Sequence, residues 1–368
     1  MKIIVSFCNV RLSGLVALAL FDPSSGECRV LELADELAGL KGITGLALSE
    51  RRLYAAAQVP DPQPDRQSFT RSELLVFDRA GLELLARYPF TVATDVHSMV
   101  WRDGALLVVS SGTDELVQLT LEGDRVAAER VLWRLEPDGP RQDTLHLNAL
   151  LSSPAHLLVA GFGKKTSDAR DSARDGFVID VACGEVLASG LDQPHTLVEL
   201  DGKLIVCESR RGAVRTALAS CVEGLPGYAR GMCRLDDQLF VATSVGRLQS
   251  RATGAVVDNP AGAGAPAGRC TINQLSADWR LLRTIDLTAY ASEIYDLVAI
   301  DDATDWPMLP ELVWRDLSIM RLSLGLDERN GQLRRVRTEL AQRDQVIREL
   351  RETLQTIRAT LGKVRPPL

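Results

Sequence analysis

Nowhere in these 368 residues do about 18 apolar residues run together, so no membrane-spanning helix is expected. The opening "MKIIVSFCNVRLSGLVALAL" begins like a secretory signal, but Asn9 and Arg11 interrupt the apolar run. No small-residue cleavage site follows before "FDPSSGE". It reads as two strands joined by a turn. There is no C-x-x-C: the seven cysteines fall mostly inside apolar runs such as "LIVCES" and "GMCRL". They read as reduced core thiols of a cytoplasmic protein, not as a disulfide framework or a zinc site. Nor is there an excess of positive charge. A net charge of −7 at pH 7 argues against a nucleic-acid or anionic-membrane partner. The catalytic signatures G-x-S-x-G and H-E-x-x-H and the dinucleotide fingerprint are missing, and "GFGKKT" (161–166) lacks the spacing of a phosphate-binding loop. Histidine is scarce, with four in the chain.

What is present is a repeat. "ITGLALSERRLYAAA" at 43, "VHSMVWRDGALLVVS" at 96, "LHLNALLSSPAHLLVA" at 145, "PHTLVELDGKLIVCE" at 194 and "ARGMCRLDDQLFVAT" at 229 share one pattern. Each is a short strand, a tight polar turn (Asp103-Gly104, Asp201-Gly202, Asp236-Asp237) and a second apolar strand. Two further strand-like segments usually follow. Four strands in a repeat of roughly 35 to 65 residues predict a β-propeller. The copy "EIYDLVAI" at 293 has no partner after it, while the N-terminal segment supplies later strands without a first one. Joined, they make a sixth blade and leave no open edge. The expected fold is therefore an all-β six-bladed propeller over residues 1–300.

After residue 301 the chain changes character. Residues 301–325 read as a linker with a short amphipathic piece. From 326 to 364 the sequence is rich in Arg, Glu, Gln and Leu, with Leu326, Leu333, Leu340, Ile347, Leu354 and Leu361 on one heptad position. That predicts a coiled-coil helix, polar at Arg329 and Arg343 on the second seam position. A lone helix in water is marginal, so the stripe is expected to join copies in a homo-oligomer, recruit a partner protein or pack back in cis.

Aligning the repeats places Thr44, His97, His146, His195, Arg230 and Tyr295 at the equivalent position of the six first strands, near the channel axis. His97, His146 and His195 are each 49 residues from the next. Three readings stand open. Converging imidazoles suit a divalent metal with an open coordination position. Without metal, the same column is an acid–base or polar-ligand site, with Tyr295 as acid or base and Arg230 holding an anionic group. Or the histidines simply plug the channel, satisfied by backbone and water. Asn148 and Asp296 are candidate ligand-binding residues, as are Arg210 and Arg211 in one of the long second-to-third-strand connections; Asp143 and Glu293 lie close in sequence. Those connections (59–73, 163–176, 208–212 and 244–268) gather on one rim, where binding is expected.

The segments "DVHSMVW", "LHLNAL", "GFVIDVACGEVLASGLDQPHTLVELDGKLIVCES", "LPGYARGM" and "EIYDLVAI" resemble, in order and spacing, an uncharacterised bacterial propeller family. The resemblance covers roughly residues 40 to 300. It implies a propeller and marks His97, His146, His195, Arg230 and Tyr295, with no reaction attached. More distantly the architecture is similar to gluconolactonase, paraoxonase and strictosidine-synthase propellers and to propeller lyases that open antibiotic rings, several of which hold a metal at the channel mouth. The function expected is binding of a small polar or anionic ligand, as a metal-dependent hydrolase or lyase on a metabolite or sugar-derived substrate. The alternative is a non-enzymatic scaffold that binds protein or glycan through the propeller face.

Overall fold

The computed structural model describes residues 1–8, 17–33, 37, 39–59, 71–166, 172–216, 219–245, 268–301, 306–311, 313–315 and 345. The chain divides into two compact units, Met1–Trp314 and Arg315–Leu368. Apart from position 345, the expected coiled coil at 326–364 lies outside the described residues, as do positions 60–70, 167–171 and 246–267 of the long connections. Among the described residues no helix is long and apolar enough to cross a membrane.

The first unit is all-β. Strands β1 (Lys2–Cys8), β2 (Leu18–Phe21) and β3 (Cys28–Val30) pair in series. Four-stranded antiparallel sets follow along the chain. The first is β4 (Gly42–Leu48), β5 (Arg52–Gln58), β6 (Ser72–Asp78) and β7 (Leu84–Pro89), and the second is β8 (Val96–Arg102), β9 (Ala105–Ser110), β10 (Glu115–Glu122) and β11 (Arg125–Arg134). Next come β12 (Leu147–Ser152), β13 (Leu157–Gly161), β14 (Gly176–Asp180) and β15 (Val186–Leu191), then β16 (Pro194–Leu200), β17 (Lys203–Glu208), β18 (Ala213–Thr216) and β19 (Ser220–Val222). The last set is β20 (Tyr228–Leu235), β21 (Gln238–Ser244), β22 (Thr271–Leu275) and β23 (Leu281–Asp286). Strand β24 (Glu293–Ile300) returns to pair with β1, from Lys2↔Ile300 to Cys8↔Glu293. Strands β1 and β24 thus share the sheet β24-β1-β2-β3, whose strand pairing to β4 is the one pair Cys8↔Gly42.

The innermost strands touch in cyclic order: β4, β8, β12, β16, β20, β24 and back to β4. The sequence pattern dictates this layering. Strands such as β5, β9 and β21 are mostly apolar and almost wholly buried, whereas the outermost β7, β11 and β23 alternate or face water. Neighbouring sheets bury their faces against each other: Tyr54, Leu74 and Val76 pack with Val96, Met99, Leu106 and Val108. The inner hairpin turns use Asp103-Gly104 and Asp201-Gly202, all with positive φ, as a two-residue turn matched to strand twist requires. Strands β20 and β24 approach closely at Gly231, where a Cβ would lie 2.8 Å from the backbone of Asp296 and Leu297.

The expected linker is partly structured. Trp306 is buried and its Nε1 donates to the Arg79 carbonyl (2.7 Å). Met308 bridges to Leu31, with Glu32 N donating to Pro307 O and Leu309 N to Val30 O (2.9 Å each). These residues cover the outer edge of β3, whose unpaired backbone would otherwise be exposed.

Candidate functional site

Every innermost strand carries a one-residue β-bulge at the same height. The register slips at Ile43/Gly45, Val96/Ser98, Leu147/Ala149, Pro194/Leu197 and Ala229/Met232, and between Ile294 and Asp296 where β24 pairs with β1. The extra residues are Thr44, His97, Asn148, one of His195 and Thr196, one of Arg230 and Gly231, and Tyr295. A bulge re-aims a side chain out of the alternating pattern, and six at one level build a ring of polar side chains around the axis.

The register changes one member of the sequence column. Asn148, not His146, is the counterpart of His97. His146 stands two residues before the bulge, where Asp95 precedes His97 and Gln193 precedes His195. All three of these residues are left-handed, with φ of 48° (Asp95), 52° (His146) and 58° (Gln193). Their carbonyls accept from Ser111, Phe162 and Ser209 N–H respectively (3.2–3.3 Å). The even 49-residue spacing of the histidines is therefore a sum of loop lengths, not a structural equivalence.

The rings nevertheless gather. His97 and His146 meet edge to face with centroids 4.9 Å apart, Phe162 lies 4.6 Å from His146 and 5.2 Å from His195, and Tyr295 is 5.4 Å from His97 and 6.4 Å from His195. Arg230 sits over the Tyr295 ring at 5.1 Å and pairs with Glu293 (3.2 Å).

Hydrogen bonds settle which ring nitrogens are engaged. Asn148 Nδ2 lies 3.3 Å from His195 Nε2, so the amide donates and Nε2 accepts. His195 Nδ1 then carries the proton toward the Gln193 carbonyl (3.2 Å) and Ser209 Oγ, and Ser209 Oγ in turn donates to the Ala229 carbonyl (2.5 Å). Burial, with the Arg230 charge second, holds the His195 pKa well below its ordinary value, which keeps the ring neutral at pH 7. His146 Nδ1 faces Asp143 (3.2 Å), which also meets Lys165 (3.6 Å). His97 Nε2 faces Asp95 (3.2 Å), while its buried Nδ1 has no hydrogen-bond partner among the described residues. Among the same residues, no group of three or more His, Cys, Asp or Glu side chains is placed to hold a metal ion.

Beneath the ring lies a cavity of about 190 Å³ whose lining includes His97, Asn148, His195, Tyr295 and Asp296. It runs toward the ends of the innermost strands, past Val100, Ser152 and Val298, to the side of the short hairpin turns. The rim expected to bind ligand is the opposite one. Arg230, Arg210, Arg211 and His146 do not line this cavity. Arg210 lies against Asp192 and Arg211 against Glu208 (3.9 Å each). His156 pairs with Asp180 away from the channel (2.8 Å). Asp95, Phe162 and Ser209 are site residues that sequence reasoning missed. The Asp-x-His spacing of Asp95 and His97 was the available signal, hidden because a bulge breaks the two-residue alternation of a strand.

Solved structures share the architecture. A protein of unknown function from Bacteroides caccae matches with a TM-score of 0.52 at 11% identity, over 80% of this chain and 97% of that one. A structure of a nidogen/laminin complex matches with a TM-score of 0.52 at 10% identity, over 80% and 97%. A putative 6-phosphogluconolactonase from Bacteroides fragilis matches with a TM-score of 0.50 at 14% identity, over 82% and 98%. At such identities the likeness shows a propeller-like fold and no more. No curated protein matches the sequence. A family profile matches residues 45–309, a span that contains the whole bulge ring except Thr44, and by it the chain belongs to DUF4915, a domain of unknown function.

Proposed function

We propose that this protein is a six-bladed propeller that binds a small polar molecule in its central channel and acts on it by proton transfer, as a hydrolase or lyase with His97 as proton acceptor. One observation carries the reading. His97 is held through Nε2 by the Asp95 carboxylate, while its buried Nδ1 has no protein partner among the described residues and the residue lines the cavity. A carboxylate on one ring nitrogen selects the tautomer whose other nitrogen presents a lone pair, which is the arrangement of an oriented general base. Asn148, braced on the neutral His195, adds a fixed hydrogen-bonding group beside it, and Tyr295 closes the ring as a candidate acid. The free state of all seven cysteines fits the cytoplasmic setting expected from the sequence. Residues 326–364 would join copies or a partner.

A divalent metal on His97, His146 and His195 is a second reading. It requires His195 Nε2 to exchange its Asn148 contact and His146 to enter the cavity. Incubating the full chain with a metabolite extract, and following consumption by mass spectrometry, tests the first reading. Wild type depletes a compound, His97→Ala does not, and Asp95→Asn slows depletion by about a hundredfold, the scale of an oriented general base. Equal depletion by all three proteins refutes it. Stoichiometric metal lost in His195→Ala moves the chemistry to a metal-bound water.

A further inference from the structure

The channel's charge is the reverse of the anionic preference expected from the sequence. Each cation offered there for an anionic ligand has a carboxylate neighbour: Arg230 with Glu293, Arg210 with Asp192, Arg211 with Glu208. None lines the cavity. The wall instead contains Asp296, one residue past the Tyr295 bulge. Its Oδ2 accepts from Leu46 N (3.1 Å) and its Oδ1 from Leu297 N (2.9 Å). Among the described residues no cationic side chain pairs with it. The titratable groups around it are Cys233 of β20 and the cavity-lining His97, His195 and Tyr295. Loss of hydration pushes its pKa up to about 6 against the two backbone N–H bonds, so at pH 7 it is a largely ionised carboxylate without a counter-charge.

Besides the polar groups of the ring and Ser98, Ser152 and Thr196, the wall carries an apolar side chain from each innermost strand: Leu46, Met99, Leu150, Leu197, Met232 and Val298. The volume bounds the guest. An apolar protein cavity of about 150 Å³ holds one benzene, so 190 Å³ holds about eight non-hydrogen atoms at the same filling. Pockets for drug-sized or nucleotide-sized ligands start at roughly 300 Å³. A sugar phosphate is too large and has the wrong charge.

We propose that the channel selects a small cationic amphiphile, an amine of about eight non-hydrogen atoms, whose ammonium pairs with Asp296 and whose apolar body lies against the aliphatic and methionine wall. The inference rests on the channel-binding reading above and adds the class of ligand. Entry is from the face of the short hairpin turns.

Calorimetric titration of the full chain at pH 7.5 with benzylamine, benzyl alcohol and benzoate tests it, because the three share a ring and differ in charge. Benzylamine is expected to bind about tenfold tighter than the alcohol or more, and benzoate not at all. Asp296→Asn should lower the amine to the affinity of the alcohol and leave the alcohol unchanged. Val298→Trp, at a half-buried wall position, should block both while unfolding in urea as cooperatively as wild type. If amine and alcohol bind equally and Asp296→Asn changes neither, cation selection is wrong and the channel reading stands. Tightest binding by benzoate overturns the inference in the same way. Binding of none of the three overturns both.

Discussion

Asp114 offers a prediction in which both the sign and the size can be worked from structure. The residue follows β9, is buried, and reaches across to the start of the next sheet. Its Oδ2 accepts from Thr144 N and Leu145 N (2.7 Å each) and its Oδ1 from Leu147 N (3.2 Å), the segment that carries His146. Burial outweighs these bonds, and the nearby Asp143 charge adds to it, so the carboxyl rises from 3.8 to about 6. The native protein therefore holds this proton more tightly than the unfolded chain does. Between about pH 4 and 6 it binds more protons, and the stability it contributes falls as pH rises through that window. The full penalty on the ionised form is about 3 kcal/mol at pH 7, of which about 1.3 kcal/mol is relieved on going to pH 5.

Asp114→Asn cannot titrate. With its oxygen at the Oδ2 position it keeps two of the three bonds and loses the one from Leu147, at about 1–3 kcal/mol. That loss offsets part or all of the removed charge penalty, so the variant should be about 0–2 kcal/mol more stable than wild type at pH 7. At pH 5 the difference should shift toward wild type by about 1.3 kcal/mol. Other titrating groups, Asp296 included, are common to both proteins and cancel in the difference. Urea unfolding followed by tryptophan fluorescence at pH 5, 6 and 7 measures it. A difference constant to within about 0.3 kcal/mol across the three pH values would refute the claim that desolvation dominates at Asp114.

Two further substitutions probe the frame. Trp306→Ala removes a buried indole and its bond to Arg79 O, which fasten the segment after β24; about 3–5 kcal/mol should be lost in urea unfolding, and a loss below about 1 kcal/mol would show that residues 306–309 are a passive tail. The half-buried Glu129 of β11 accepts from the N–H groups of Thr91, Val92 and Ala93 (2.7–3.0 Å) and from the hydroxyls of Thr91 and Tyr88. Glu129→Ala should cost about 2 kcal/mol, discounted for exposure, and speed hydrogen exchange at those three amides; unchanged exchange there would mean that water replaces the carboxylate without loss.

Some of this protein is legible in its letters. The inner hairpins could be read from alternating apolar residues around Asp-Gly turns, because a strand's two-residue period and a turn's demand for positive φ are local. The return of the C-terminal strand could be read from a count, since an N-terminal segment without a first strand needs one. His97 and Tyr295 could be named because they recur at the bulge position of the repeat, with His195 and Arg230 at it or next to it. His146 was misplaced because an alignment by residue type cannot see a bulge. The bulge is a difference between two paired strands, and neither strand carries it alone.

The sequence by itself determined the sheets, their order and the polar ring at the start of the innermost strands. These follow from local periodicity repeated along the chain, and each blade must bury its faces on its neighbours. Tertiary structure alone decided which polar residues share a cavity and which charges are already neutralised. Arg230 meets Glu293 across 63 residues of chain, Asp296 takes its hydrogen bond from Leu46 across 250, and Phe162 wedges between His146 and His195. Desolvation and pairing depend on what surrounds a group in three dimensions, and that is why the channel read as a grip for anions in the sequence has a lone carboxylate in its wall.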